Sequence, residues 1–156
     1  MNAASPVLDP PVEAGIPCDL GTYRLEEQVG FFLRRANQRH AAIFLERMPE
    51  DLTPTQWAAL VKVAELLSVS QNQLGRDTAM DAATIKGVID RLLKRGFVST
   101  GPDPADGRRT LIALAPAGRA AVKEGLVRAA EVTEATLRPL AAHERKTLLD
   151  LLRRIS

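Results

Sequence analysis

The sequence predicts a mainly α-helical fold that carries one small β-hairpin. Three observations predict it. The composition is 46% hydrophobic but only 4% aromatic, with Ala and Leu dominant, which favours helices. Apolar residues recur at spacings of three and four along most of the chain. One stretch breaks that rhythm: two runs rich in β-branched residues flank a segment of Pro, Asp and Gly between residues 97 and 114.

Length and charge bound the function. At 156 residues the chain is one domain, or one domain with an arm. No apolar run approaches the roughly 18 residues of a membrane span. The N-terminus lacks a basic region followed by an apolar run, so no secretory signal is expected. A single cysteine, Cys18, excludes an internal disulfide and fits a reducing cytoplasm. Cys18 and the two histidines have no CxxC or HxxxH spacing, so no structural zinc is expected. The formal net charge of +2 is unevenly spread. Residues 1–75 hold 6 basic and 9 acidic groups, residues 76–123 hold 9 and 5, and residues 124–156 hold 6 and 5. Positive charge gathers in the middle third, as expected of a surface that neutralises phosphates.

In chain order, residues 1–19 hold four prolines and little periodicity, and read as a flexible arm. A long helix follows from about Leu20 to Arg47, with Leu25, Val29, Phe32, Ala36, Ile43 and Phe44 on one stripe. His40 falls on that stripe, flanked by Arg35 and Arg39. A histidine on an apolar face is ordinarily a hydrogen-bonded core residue, but the two nearby arginines keep a binding role open. Pro49 ends this helix. Thr53-Pro54-Thr55-Gln56 opens the next with an N-cap, a proline at the first helical position and a capping box. Trp57, Leu60, Val61, Ala64 and Leu67 form its buried stripe, and Trp57 reads first as a core anchor. Ser68 or Ser70 starts a short helix through Gln71, Leu74 and Thr78.

Asp81 is the N-cap of a further helix whose residues Ile85, Val88, Ile89 and Leu92 form one apolar face. Its other face carries Ala82, Ala83, Lys86, Gly87 and Asp90, with Lys94, Arg95 and Gly96 at its end. Residues 97–100 and 110–114 read as two strands, joined by a Pro/Asp/Gly turn that closes on Arg108 and Arg109. A helix-turn-helix followed by a basic hairpin is a winged helix. Its second helix can lie in a major groove and its hairpin can reach the adjacent backbone or minor groove. On periodicity alone, two arginines on a turn are equally well explained as solvated charge. Pro116 begins another long helix, Pro139 interrupts it, and a last helix carries Leu148, Leu149, Leu151, Leu152 and Ile155. These tail helices are more apolar than a monomer of this size needs, so a second copy of the chain is their expected partner.

The segments Thr84-Ile85-Lys86-Gly87-Val88-Ile89-Asp90-Arg91-Leu92 and Lys94-Arg95-Gly96-Phe97-Val98 resemble the winged-helix core of the MarR family. So do Asp103-Pro104, Asp106-Gly107-Arg108-Arg109 and Leu114-Ala115-Pro116-Ala117-Gly118. The likeness runs from about Tyr23 to the C-terminus. The family usually has Thr where Ala115 stands, and often a larger polar residue where Gly87 stands. The resemblance implies a winged helix-turn-helix core at about 53–115, within a single domain over 20–156. Dimerisation helices are implied at about 20–47 and 116–156.

It also implies a cytoplasmic, homodimeric, ligand-responsive repressor of double-stranded operator DNA. DNA contacts are then expected from Ser70, Gln71 and Gln73 on the support helix and from Ala82, Ala83, Thr84, Lys86 and Gly87 on the recognition helix. Arg91 stands near the backbone, and Arg108 and Arg109 lie on the wing, with Asp106 holding the Arg108 guanidinium. The inducer pocket of the family lies between the dimer helices and the winged core. Candidates there are Tyr23, Arg24, Phe31, Arg35, Arg39, His40 and Trp57, a set of rings and guanidinium groups suited to an aromatic acid or its acyl thioester. The stretch from Tyr23 to Leu60 is similar to regulators of nicotinate and hydroxycinnamate degradation.

Two other classes offer alternative readings. Peroxide-sensing relatives place a reactive cysteine near the start of the first helix, where Cys18 lies, but they also use tyrosines and this chain has only Tyr23. An enzyme is not expected: there is no GxSxG, no Gly-rich phosphate loop, no cofactor motif, and neither His40 nor His143 has an adjacent nucleophile.

Overall fold

The structure, a computed structural model, describes residues 20–156. The chain divides into a compact unit that ends at Arg34 and a larger one, Arg35–Ser156. The element order is α1 (Val29–Arg47), α2 (Pro54–Leu66), β1 (Ser68–Ser70), α3 (Gln71–Asp77), α4 (Ala82–Lys94), β2 (Val98–Pro102), β3 (Thr110–Leu114), α5 (Pro116–Leu137) and α6 (Ala142–Ile155).

The first helix starts later than its apolar stripe suggests. A short 3-10 turn, Leu25–Glu27, precedes it, and Gln28 is extended at φ −82°, ψ 137°. That extended residue separates the turn from α1, so the expected helix from Leu20 is corrected to one from Val29. The hairpin forms as β2 and β3, and β1 joins it to make a three-stranded antiparallel sheet in the order β1-β3-β2, because Val69 pairs with Ile112 across β1 and β3. β1 is three residues long, too short to show a period. Gly101 and Pro102, expected in the turn, extend β2 and pair with Leu111 and Thr110.

The caps form as the sequence predicts. The Thr53 hydroxyl accepts from the Gln56 amide at 3.3 Å, and the Gln56 side chain accepts from the Thr53 amide at 3.0 Å. Gln56 is buried, and this reciprocal pairing satisfies it. Ser70, not Ser68, caps α3. Ala115 precedes α5 without any side-chain cap, leaving Pro116 to start the helix.

The core of the larger unit gathers α2, α3, α4, the sheet and α5. Leu52, Leu60, Leu74, Ile85, Val88 and Leu92 are fully or almost fully buried in it. A second cluster holds Phe44, Met48 and Val132, and Trp57 packs against both. Two glycines make the close approach of α5 possible. A Cβ at Gly118 would stand 2.0 Å from the Phe97 carbonyl oxygen, and one at Gly125 2.4 Å from the Trp57 ring. In contrast, α6 buries none of its residues within the chain.

Candidate nucleic-acid interface

The face of α4 opposite the core is where the sequence candidates lie. Asp81 builds the start of this helix. Its carboxylate accepts from the Thr84 amide at 2.8 Å and from the Thr84 hydroxyl at 2.7 Å. These bonds, the backbone one first, hold the Asp81 carboxyl below its ordinary pKa. The Thr84 hydroxyl is therefore already donating. Lys86 forms an ion pair with Asp90 at 2.7 Å, one turn on. Ala82, Ala83 and Thr84 are exposed and Gly87 is half-buried. Gly87 leaves a gap: an added Cβ would lie 3.5 Å from the Arg91 guanidinium, which folds back along the helix over it. Among the described residues no carboxylate pairs with Arg91.

At the other end of α4 the Arg95 guanidinium donates to the Glu50 carbonyl and lies 4.6 Å over the Phe97 ring. Glu50 and Asp51 hold left-handed φ values of 58° and 47°. α4 is thus fixed at both ends, by its own cap and by the turn that follows α1.

On α3, Ser70 and Gln71 are half-buried near the helix start. Gln73 is occupied at both ends of its amide: it donates to Asp77 at 2.7 Å and accepts from Arg76. Arg76 was not among the sequence candidates. Its signal was the i, i+3 spacing from Gln73, which a count of isolated cations does not weigh. α3 packs on α4, and α4 packs on β2, which leads into the wing.

The wing tip is ordered by one carboxylate. Asp106 accepts from the Arg108 amide and from Arg108 Nε, both at 3.2 Å, and its second oxygen lies 3.5 Å from Arg109 Nε. The Arg109 amide donates to the Asp106 carbonyl at 2.8 Å. Both arginine side chains remain largely exposed, at 92% and 70%. Two guanidinium groups are held side by side at Nε while their outer N–H edges face solvent, the arrangement that suits a phosphate or a narrow groove.

The residues proposed for an inducer divide between the two units. In the first, the Arg24 guanidinium donates to the Tyr23 carbonyl at 3.0 Å, Tyr23 is exposed, and Phe31 packs edge-on against Phe32 at 6.1 Å. In the second, Arg39 donates to the Thr136 and Ala135 carbonyls at 2.5 and 3.1 Å. His40 Nδ1 shares a hydrogen bond of 3.0 Å with the Thr136 hydroxyl. Trp57 lies on Gly125 and Met48. Three of the four candidates in this unit therefore hold the end of α5 and its middle; the exposed Arg35 is the fourth. Cys18 lies outside the described residues. Among the described residues no cluster of His, Cys, Asp and Glu is placed to hold a metal ion, and no helix is long and apolar enough to cross a membrane.

The MarR family profile matches residues 52–110, the span from the entry of α2 to the start of β3. The transcriptional repressor NicR of Pseudomonas putida is 37% identical over 140 residues, 89% of each chain. This chain belongs to the MarR family. Its members are DNA-binding transcriptional regulators and not enzymes. A probable transcriptional regulator from Pseudomonas aeruginosa superposes with a TM-score of 0.82 at 55% identity, covering 85% of this chain and all of that one. Bordetella bronchiseptica BpsR, whose DNA binding is regulated by 6-hydroxynicotinic acid, superposes with a TM-score of 0.80 at 40% identity, covering 86% and 97%. The resemblance to aromatic-acid regulators is borne out, and the peroxide-sensing alternative through Cys18 is not favoured.

Proposed function

We propose that this chain is a homodimeric repressor that leaves a pseudo-palindromic operator when a small anionic aromatic compound, or its acyl thioester, binds. The observation that carries the DNA half is the wing: Asp106 contacts both Arg108 and Arg109 while their side chains stay exposed, and α4, which packs on β2, carries small residues at Ala83 and Gly87. Two α4 helices enter successive major grooves, so half-sites stand about 10 base pairs apart, centre to centre. Arg108 and Arg109 take the minor groove or its phosphates. Lys86, released from Asp90, reaches a base edge, and Ser70, Gln71, Gln73 and Arg91 seat the helix on the backbone.

The dimer reading rests on exposed apolar side chains in the flanking helices: Leu126 and Val127 on α5, and Leu149, Leu151 and Ile155 on α6. Within the single domain we assign to 20–156, the helices at about 20–47 and 116–156 pair the two copies, and the core at about 53–115 reads DNA. The ligand half is supported by the likeness to NicR and BpsR. The test is a footprint of the full chain on its own upstream region, with and without 6-hydroxynicotinic acid and benzoate. A two-fold symmetric footprint that fades with either acid is expected. A monomer in solution, or a footprint without symmetry, overturns the dimeric reading; indifference to every aromatic acid and thioester overturns the ligand class.

A further inference from the structure

The outward face of α4 is nearly bare at its centre. Residues three and four apart on a helix share a face, and the stripe opposite the buried Ile85, Val88, Ile89 and Leu92 runs through Ala83 and Gly87. The fold does not require glycine at 87. Its backbone is not in the left-handed region, and a Cβ there would find its nearest neighbour at 3.5 Å, an ordinary contact distance. A glycine in a helix interior also costs stability. The three nearest atoms to such a carbon belong to one group, the Arg91 guanidinium, at 3.5, 3.7 and 3.9 Å. The glycine leaves a seat open on the helix, and Arg91 occupies it.

The neighbouring polar side chains already have partners. Lys86 is paired with Asp90 at 2.7 Å, and the Thr84 hydroxyl donates to Asp81 at 2.7 Å. On α3, Gln73 bridges Arg76 and Asp77. Arg91 is exposed, and neither carboxylate of α4's first three turns takes its guanidinium. Side chains on a helix lean toward its N-terminus. Arg91 springs from the third turn of α4, but its guanidinium lies over the second, above Gly87. It is carried toward the half of the helix whose side chains meet base edges when such a helix enters a major groove.

We propose that Arg91 is a specificity-determining residue, which reads a guanine in the major groove from the space that the missing side chain at 87 leaves. A guanidinium presents two parallel N–H donors, and guanine presents O6 and N7 as adjacent acceptors on its major-groove edge. Glycine lets a backbone approach a ligand closely, so the bare strip at Ala83 and Gly87 brings the helix near enough to the base pairs for that fork to reach. Lys86 is drawn toward Asp90 and the Thr84 proton is committed to Asp81, whereas Arg91 reaches a base without giving up a carboxylate. The inference rests on the proposed operator-binding function and adds a base contact to the backbone seat given to Arg91 there. It is independent of the wing, of the dimer and of any inducer.

The probe is a pool of DNA duplexes randomised over about 20 base pairs, room for two half-sites. The full chain selects from the pool, the bound duplexes are sequenced, and the preferred duplex is titrated with and without one guanine replaced by adenine. The native chain is expected to select a guanine in each half-site, and the replacement is expected to weaken binding roughly tenfold. Arg91→Ala is expected to bind the two duplexes within about twofold of each other, while its preferences at other positions persist. Arg91→Lys keeps the charge without the fork and is expected to recover only part of the guanine preference. Gly87→Gln fills the seat. It is expected to lose the same preference while raising the thermal midpoint by about 2 °C through better helix propensity. If Arg91→Ala weakens both duplexes by one factor and guanine is still preferred, Arg91 is a backbone contact alone and the proposal is overturned. Lower thermal stability in Gly87→Gln overturns it too, since the fold then requires the glycine, as does an unchanged guanine preference in that variant. If the native chain selects no sequence from the pool, the operator-binding function itself fails and this inference with it.

Discussion

Arginine appears in two regions of this molecule, and it is used differently in each. On the wing, Arg108 and Arg109 are tethered at Nε by Asp106 and present their outer N–H groups to solvent. At the junction of α1 and α5, Arg39 spends its guanidinium on the last carbonyls of α5, Ala135 and Thr136. Those carbonyls have no partner within their own helix and carry the negative end of its dipole, so a nearby cation is drawn to them. The first arrangement leaves positive charge exposed to solvent. The second consumes it to hold a helix. The residue type is the same in the two places; what differs is whether a helix end lies within reach.

The largest test of this contrast is steric. Gly125 belongs to the junction, and a Cβ there would stand 2.4 and 2.7 Å from ring carbons of Trp57, which Met48 crowds from the same side. Gly125→Ala is expected to cost about 3 kcal/mol of stability, measured by denaturant titration, because the Trp57 ring and the end of Met48 must shift to admit the added carbon. Operator affinity per folded dimer should hardly change. A variant as stable as the native chain shows that Trp57 is loosely packed and free to serve a ligand after all.

Next comes the wing. Arg108→Ala is expected to weaken operator binding by about 2 kcal/mol and to lower the salt slope by about one for each site lost. Lys86→Ala is expected instead to relax discrimination at one base step in each half-site, with little change in the salt slope. Titrations at several salt concentrations, on the operator and on a scrambled site, separate these effects. Native-like binding by both variants removes α4 and the wing as the reading surface.

Legibility in the sequence followed the same divide. α2 and α4 were readable because their caps are local: Thr53 with Gln56, and Asp81 with Thr84, each sit three residues apart. The wing turn was readable from Pro, Asp and Gly, and the contact between Asp106 and Arg108 is local, the two standing two positions apart. What could not be read depends on distant partners. Arg39 and Thr136 meet across 97 positions, and β1 exists only because β3 pairs with it. Gly125 carried no signal either, since a helical glycine announces itself only through the atom that presses on it.

Arg39 itself gives a smaller effect. Arg39→Gln is expected to lower stability by about 1 kcal/mol, since an exposed guanidinium gives up two carbonyl partners that water partly replaces. His40→Ala removes the neighbouring bond to Thr136 and should add to this less than fully, because both act on the same helix end. Thermal denaturation of the two single variants and the double variant measures the coupling. Unchanged stability together with loss of response to 6-hydroxynicotinate returns these residues to the inducer site.

The smallest effect is a pH dependence at the start of the recognition helix. The Asp81 carboxyl is held below its ordinary value of 3.8 by the Thr84 amide first and the Thr84 hydroxyl second. A carboxyl depressed on folding stabilises the native state fully above its unfolded value, and the contribution is lost as pH falls through the lower folded value. The cap is therefore complete at neutral pH and fails only in strong acid, so operator binding between pH 6 and 8 owes no pH dependence to it. Asp81 is fully exposed, and screening keeps its contribution small. Amide exchange at Ala83 and Thr84 is the measurement. Protection should fall first at these two residues on acidification, before the core helices open, and Asp81→Asn should make that protection independent of acid. If exchange at Thr84 is already fast at neutral pH, the cap does not hold the helix start, and Arg95 on the Glu50 turn is then the main anchor of α4.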